Sequence, residues 1–451
     1  MRTLVYDFLY SEAHVQSAAA VLREHGAEIV GWLGRPHVGE RITGHLPGVR
    51  FLPVPHPMRD LPLVDAKRIW EIAHVPTLFM LVERERKTGT NLGDVLEITR
   101  IYCHVVAVLD ELRPELIVAC DVPHNVFSYM LYVEARHRGI PMPFVKWGPM
   151  PHIVAVGMDL ERGISDAFDA GRESPALVLS PTTQALLGRY RSDYKQATPS
   201  YMKDQKRNDR FLAYARKVLA APGRYAQDYR FLRGGVAVAA RRRLAAAYER
   251  VAVPFDASRG RAVCLFLHLQ PERTSCPEGG IFAQQWLIAQ TLSRLLPDHR
   301  ILVREHPSTF RPGPKLLREV NDYQRFLEIP RVELLTLSGS PFEVTDFVDA
   351  VVTITGTVGM EALARGTPAI AFGSAAFVDC DGAFDARDPD QLAEAVTWVQ
   401  ERRRVPEGAV ETYLSILEGS PHVYVCDHED VIERFFDLAS EGLLRSPVLA
   451  R

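Results

Sequence analysis

The stretch Val351-Val-Thr-Ile-Thr-Gly-Thr-Val-Gly-Met-Glu-Ala-Leu363 decides the reading of the fold. An apolar run passes straight into small hydroxyl residues and glycine, and a helical pattern starts at about Val358. Strand, tight turn and helix in that order make the βα unit of an open parallel sheet. Thr355, Gly356 and Thr357 then fall at the carboxyl edge, where such sheets bind ligands. The following helix N-terminus offers free N–H groups to a phosphate, and Glu361, about one turn further on, suits a ribose hydroxyl. An ordinary strand-to-helix turn and an exposed helix carboxylate fit the same residues.

The same alternation runs outward on both sides. Toward the N-terminus it predicts strands at 262–267 and 301–303, with a helix at 281–296 between them; toward the C-terminus, a strand at 368–372 and helices at 390–405 and 427–442. The first 150 residues repeat the scheme. Strands are expected at 3–9, 28–33, 51–54, 116–120 and 143–146, with helices at 13–25, 95–112 and 125–138. Gly26 stops the first helix as a C-cap glycine does. Residues 161–258 differ, being helical in pattern and rich in Lys and Arg between 189 and 250. A solvated helical face or linker is the plain reading of that segment; an anionic acceptor or acidic membrane surface is the other. The expected fold is therefore α/β, with two Rossmann-like parallel-sheet units facing a cleft. Residues 1–160 are expected to form the first unit, 161–258 a basic helical connection, 259–425 the second unit and 426–451 a terminal helix packing back on the first unit.

Three further segments end at sheet edges. In Ile301-Leu-Val-Arg-Glu-His-Pro-Ser308, Pro307 fixes the chain's exit and His306 is placed to bond a phosphate oxygen. Arg304 shares that side only if the pleat stays regular. The loop after residue 266 concentrates Gln270, Glu272 and Arg273 with glycines, and loops at that edge carry function disproportionately. In the first unit, Asp121-Val-Pro-His-Asn125 follows a buried strand. Asp121 or His124 can serve there as general base, Asp121 alternatively as a carboxylate nucleophile, while capping of the next helix by Asp121 or Asn125 is the structural alternative.

Composition narrows the class. The 451 residues are 47% hydrophobic and 24% charged, with a net charge of -3, so no basic excess suggests nucleic acid. Six cysteines without a CxxC pair point to buried thiols rather than a zinc site. The start of the chain lacks the pattern of a secretory signal, no uncharged stretch spans a bilayer, and the expectation is a cytoplasmic protein, peripheral to the inner face of the membrane if the basic segment docks there. No GxGxxG follows the first strand and no DxD-like metal pair stands at a strand end.

In HLQPERTSCPEGG (268–280), LVREHP (302–307) and TITGTVGMEALARGTPAIAFG (353–373), taken in that order and spacing, the chain resembles bacterial capsule and surface-polysaccharide glycosyltransferases, the group that includes the capsular β-Kdo transferases. DVPHN (121–125) is similar to the same group. The resemblance implies a GT-B glycosyltransferase that needs no bound metal and no cofactor, with a nucleotide-sugar donor and a saccharide or lipid-linked acceptor as its partners. It implies donor contacts from His306, Pro307, Thr355 and Thr357, with Gln270 and Glu272 in the Gln-Pro-Glu segment, and it favours a CMP-sugar. A UDP-sugar 2-epimerase and a non-catalytic nucleotide-sugar-binding protein of an assembly complex share enough of these features to stand as alternatives.

Overall fold

The computed structural model describes residues 1–6, 12–34, 39–54, 67–86, 92–192, 230–270, 272–310 and 318–426. The helix expected at 427–442 lies outside them, as does much of the basic segment, 193–229.

The first sheet contains β1 (Arg2–Tyr6), β2 (Glu28–Gly34), β3 (Phe51–Pro53), β4 (Leu116–Ala119), β5 (Phe144–Trp147) and β6 (Ile153–Gly157). The second contains β7 (Ala262–Phe266), β8 (Arg300–Arg304), β9 (Val332–Leu335), β10 (Ala350–Thr353), β11 (Ala369–Ala371) and β12 (Ala383–Asp385). A last strand, β13 (Val423–Val425), returns to the first sheet, whose order is β13-β6-β5-β4-β1-β2-β3. The second sheet runs β12-β11-β10-β7-β8-β9, with every pairing parallel. Numbered from its own first strand this is the doubly wound dinucleotide-type order, and its switch point lies between β7 and β10. The fold is α/β with two Rossmann-like sheets, the GT-B arrangement.

Both faces of each sheet are covered, which is why their strands read as unbroken apolar runs. Along β10, Ala350 and Val352 enter one cluster while Val351 enters the cluster on the opposite face. In β1, Leu4 and Tyr6 divide from Val5 in the same manner. All six cysteines are buried and none is joined in a disulfide.

Three features depart from the reading of the sequence. The first sheet is not wholly parallel, because β6 pairs antiparallel with both β5 and β13. Residues 423–425, expected within the second unit, supply that β13 edge. The described parts of 161–258 are packed rather than solvated. Helix Pro181–Ser192 buries Leu186, Leu187 and Tyr190 in a core shared with β6, β11 and helix Ala409–Gly419. Helix Arg230–Val251 buries Leu244 and Tyr248 under the second sheet, and its Arg241 donates to the Thr309 carbonyl. Arginines that seemed a charged face are there partly to cap carbonyls. No helix among the described residues is long and apolar enough to cross a membrane.

Packing at the start of helix Val358–Ala364 is tight. A Cβ on Gly359 would stand 2.1 Å from the ring of Phe377, itself buried. Replacing a helical glycine by alanine ordinarily stabilises. Gly359→Ala is expected instead to lower stability by about 1–3 kcal/mol through overpacking, read from the shift of the urea unfolding midpoint.

Candidate functional site

The switch point is built around His268, which follows β7 and is buried. Its Nε2 accepts from the Thr355 N–H at 3.1 Å and lies 3.0 Å from Thr353 Oγ1, while Gly356 N–H donates to that same hydroxyl oxygen at 3.2 Å. Nδ1 faces Thr274 Oγ1 at 3.4 Å, so the ring is neutral with its proton on Nδ1. Burial above all, with the His306 ring and Arg318 nearby, lowers its pKa to about 3. Thr355 closes the node, its hydroxyl donating to the Thr274 carbonyl at 2.9 Å.

This wiring changes what the 355–357 turn offers. The N–H groups of Thr355 and Gly356 are consumed inside the protein. Gly356 is required because a Cβ would stand 2.8 Å from Thr353 Oγ1, a packing reason rather than closeness to a phosphate. Thr357 is exposed, begins the helix Val358–Ala364 and makes no side-chain cap, so its hydroxyl faces solvent at the helix N-terminus. Glu361, in the first turn, is half-buried, and burial raises its pKa to about 7.

At the end of β8, His306 Nδ1 accepts the Ser308 N–H at 3.2 Å. The neutral ring therefore carries its proton on Nε2, a donor before any protonation. Pro307 opens the 3-10 turn Pro307–Phe310 that presents it. Arg304 does not join His306: it is buried and donates to the carbonyls of Leu337 and Gly339 at 3.2 and 3.1 Å. Glu305, which sequence reasoning passed over, is the local hub. Its carboxylate accepts from Thr309 Oγ1, Arg318 Nε and Tyr323 Oη at 3.1, 3.0 and 2.9 Å. Its one signal in the sequence is a carboxylate standing directly after a buried strand. Gln270 is likewise structural, its amide bonding the Ala283 carbonyl at 2.6 Å across the loop. Glu272 is exposed, with Thr274 Oγ1 3.4 Å from Oε2.

Across the cleft, Asn125 rather than Asp121 caps helix Val126–His137, through a capping box with Ser128. His124 Nδ1 lies 2.6 Å from the Val122 carbonyl and so bears the proton, which leaves the lone pair on Nε2. Asp121 accepts its neighbour Val122 N–H at 2.8 Å and is ion-paired to Arg273 of the second unit. Arg273 Nε lies 3.9 Å from Glu278 Oε1, and that oxygen lies 3.5 Å from Lys146 Nζ. Lys146, on β5, also donates to the carbonyl and hydroxyl of Ser374, at 2.5 and 2.9 Å. Charges from the two units thus alternate along one chain, Asp121, Arg273, Glu278, Lys146. Lys146 is buried, and desolvation lowers its pKa. Beside this chain a cleft of about 920 Å³ opens between His74, Tyr129 and Arg136 on one side and Ile281, Phe282 and Arg387 on the other.

Residues 273–407, less than half of the chain, match the family described as "Capsule polysaccharide biosynthesis protein". No curated protein sequence matches the chain. Among solved structures it is similar to the KpsC beta Kdo 2,7 transferase of Thermosulfurimonas dismutans, at 10% identity over 83% of this chain and 96% of that one, with a TM-score of 0.32. It is also similar to UDP-GlcNAc 2-epimerase from Methanocaldococcus jannaschii (13% identity, 93% and 99% covered, TM-score 0.28) and to the glycosyltransferase SnogD from Streptomyces nogalater (13%, 89% and 94%, 0.20). Likeness this loose assigns no reaction.

Two expectations follow from the buried charges. Lys146→Met leaves Glu278 buried opposite a methyl group and should cost about 3–5 kcal/mol, whereas pairing it with Glu278→Met should recover most of that loss; unfolding midpoints of the two variants decide. His268 binds a proton in the unfolded chain below its ordinary pKa of 6.5 but in the folded one only near 3. Its contribution is complete above pH 6.5 and is lost as the pH falls. Between pH 7 and pH 5 the wild type should lose about 2 kcal/mol more than His268→Gln, a difference measurable by urea denaturation at the two pH values.

Proposed function

We propose that this chain is a glycosyltransferase of capsule or surface-polysaccharide biosynthesis, which moves a sugar from a nucleotide-sugar donor to a saccharide or lipid-linked acceptor. A CMP-sugar such as CMP-Kdo is the favoured donor. The observation that carries the reading is the His268–Thr355 node and the exposed Thr357 at the switch point of the second sheet, with His306 at the same carboxyl edge after the neighbouring strand β8, within and beside the family-matched residues.

On this reading the donor phosphate sits against the Thr357 hydroxyl and the first N–H groups of the helix Val358–Ala364, with His306 Nε2–H donating to a phosphate oxygen. Glu361 accepts from the ribose hydroxyls in its ionised form. The acceptor hydroxyl oxygen attacks the anomeric carbon, and the bond from that carbon to the phosphate oxygen breaks with its electrons passing to the nucleotide. His124 Nε2 takes the hydroxyl proton. Asp121, held by Arg273, orients the acceptor or receives the proton in its place, and Glu272 reaches toward the sugar from the opposite loop. Membrane association is part of the proposal only as docking of a peripheral enzyme, because lipid-linked acceptors present themselves at the inner face.

A thermal-shift panel of CMP, CDP, UDP and GDP tests the donor class, since a ligand raises stability by mass action. CMP is expected to give the largest shift, and His306→Ala to lose most of it together with transfer activity. With a pKa of about 7 for Glu361, ionisation should raise CMP affinity roughly ten-fold from pH 6 to pH 8, relative to Glu361→Gln. A panel with no nucleotide shift, wild-type transfer by His306→Ala, or conversion of a UDP-sugar without acceptor overturns the reading.

A further inference from the structure

A second cavity, of about 900 Å³, lies between helices Trp286–Leu295 and Val320–Leu327 of the second unit. Its size falls within the roughly 300–1,000 Å³ of small-ligand sites. Trp286 and Gln290 line it along the first helix, with Gln284 at its head and Arg294 at its foot; Arg325 stands on the facing helix. None of these residues belongs to the site described above.

The charges are unbalanced there. Arg294 is exposed and makes no hydrogen bond or ion pair with any described residue. Arg325 has one partner, Asp322, at 3.6 Å, and its side chain is 55% exposed. An exposed pair at that distance is worth little, so both guanidiniums can turn to a ligand. Arg331 is spoken for, since its guanidinium bonds Ser293. Glu328 lines the same cavity and supplies an acceptor. Guanidinium forks match carboxylates bidentately, amide side chains match vicinal hydroxyls, and a half-buried indole offers a flat apolar wall to a sugar ring.

Position adds a second argument. The head of the groove adjoins the 3-10 turn Gly280–Ala283, whose Ile281 and Phe282 line the interdomain cleft. A chain leaving the cleft over that turn enters the groove directly.

We propose that this groove is a binding site for a carboxylate-bearing oligosaccharide, holding the part of an acidic glycan that extends beyond the reacting end. The assignment of a glycan chain to the groove rests on the glycosyl-transfer reading, and the experiment separates the two. The full chain is titrated by calorimetry at about 0.15 M salt, where weak surface charge effects are screened. The probes are oligogalacturonate as the carboxylated glycan, maltohexaose as the neutral one and inorganic polyphosphate as a plain polyanion. Oligogalacturonate should bind, maltohexaose markedly less, and Arg294→Gln/Arg325→Gln should weaken the former by about ten-fold or more. Both arginines are exposed at the surface, so the double variant should keep its melting temperature and its CMP shift. Unchanged oligogalacturonate binding by the double variant overturns the site. Equal binding of maltohexaose removes the carboxylate from it, and equal or tighter binding of polyphosphate reduces the groove to a polyanion surface. A wild type with no nucleotide shift that still binds oligogalacturonate through these arginines sinks the transfer reading and leaves the groove standing.

Discussion

Arg273 reaches from the second unit to Asp121 in the first, and Lys146 of the first reaches Ser374 and Glu278 of the second. These opposed contacts meet at Glu278, which neither sheet can bury alone. Charges this far from water cost several kcal/mol each to desolvate, and only mutual pairing brings the sum near neutrality. The chain of charges consequently forms only when the two carboxyl edges stand in one relative position. Apolar packing cannot impose that: the shared core around Leu363 and Leu417 is non-directional and would tolerate a slide or rotation. The ion chain converts a greasy contact into a defined one.

His268 performs the corresponding task within the second unit. It joins the loop after β7 to the turn after β10, across the only gap in the sheet where consecutive strand order reverses. Because the ring is neutral and its acceptor nitrogen faces two donors, the turn is fixed without importing a charge. What remains directed outward is a hydroxyl, a helix end and a carboxyl of raised pKa, a set suited to a nucleotide. A turn that satisfied fewer of its own amides would have more donors to offer and less shape to offer them in.

Much of this was legible in the residues. Unbroken apolar runs such as 350–354 announced strands covered on both faces, and small residues after them announced the edge. The local order HLQPE, REHP, TGT placed His306 and Thr355 at one end of one sheet, and the fold agrees. What could not be read was which side chains turn inward. Arg304 and Gln270 look like ligands in sequence but satisfy carbonyls of neighbouring loops, because a buried carbonyl needs a donor and these were the nearest. Lys146 and Glu278, more than 130 residues apart in number, carry no local motif; their meaning comes from a pairing that only tertiary structure creates. The packed arginine of helix Arg230–Val251 was hidden for the same reason, its neighbours Arg242 and Arg243 being of identical type but exposed.

The placement of Asp121 has a consequence for any chemistry in the cleft. Its carboxylate is aimed by a guanidinium that belongs to the other unit, while His124, two residues behind the Val122 carbonyl that fixes its tautomer, is aimed by its own loop. Separation of the units would therefore take the guanidinium from Asp121, which keeps the Val122 N–H, and leave His124 in place. A histidine that keeps its geometry in both arrangements thus stands beside a carboxylate whose charge is paired across the cleft only in the docked one. Water is the competing nucleophile in sugar transfer. On the proposed glycosyl-transfer reading, a charge pair at Asp121 that forms only when the cleft edges are locked favours transfer over hydrolysis without a separate lid.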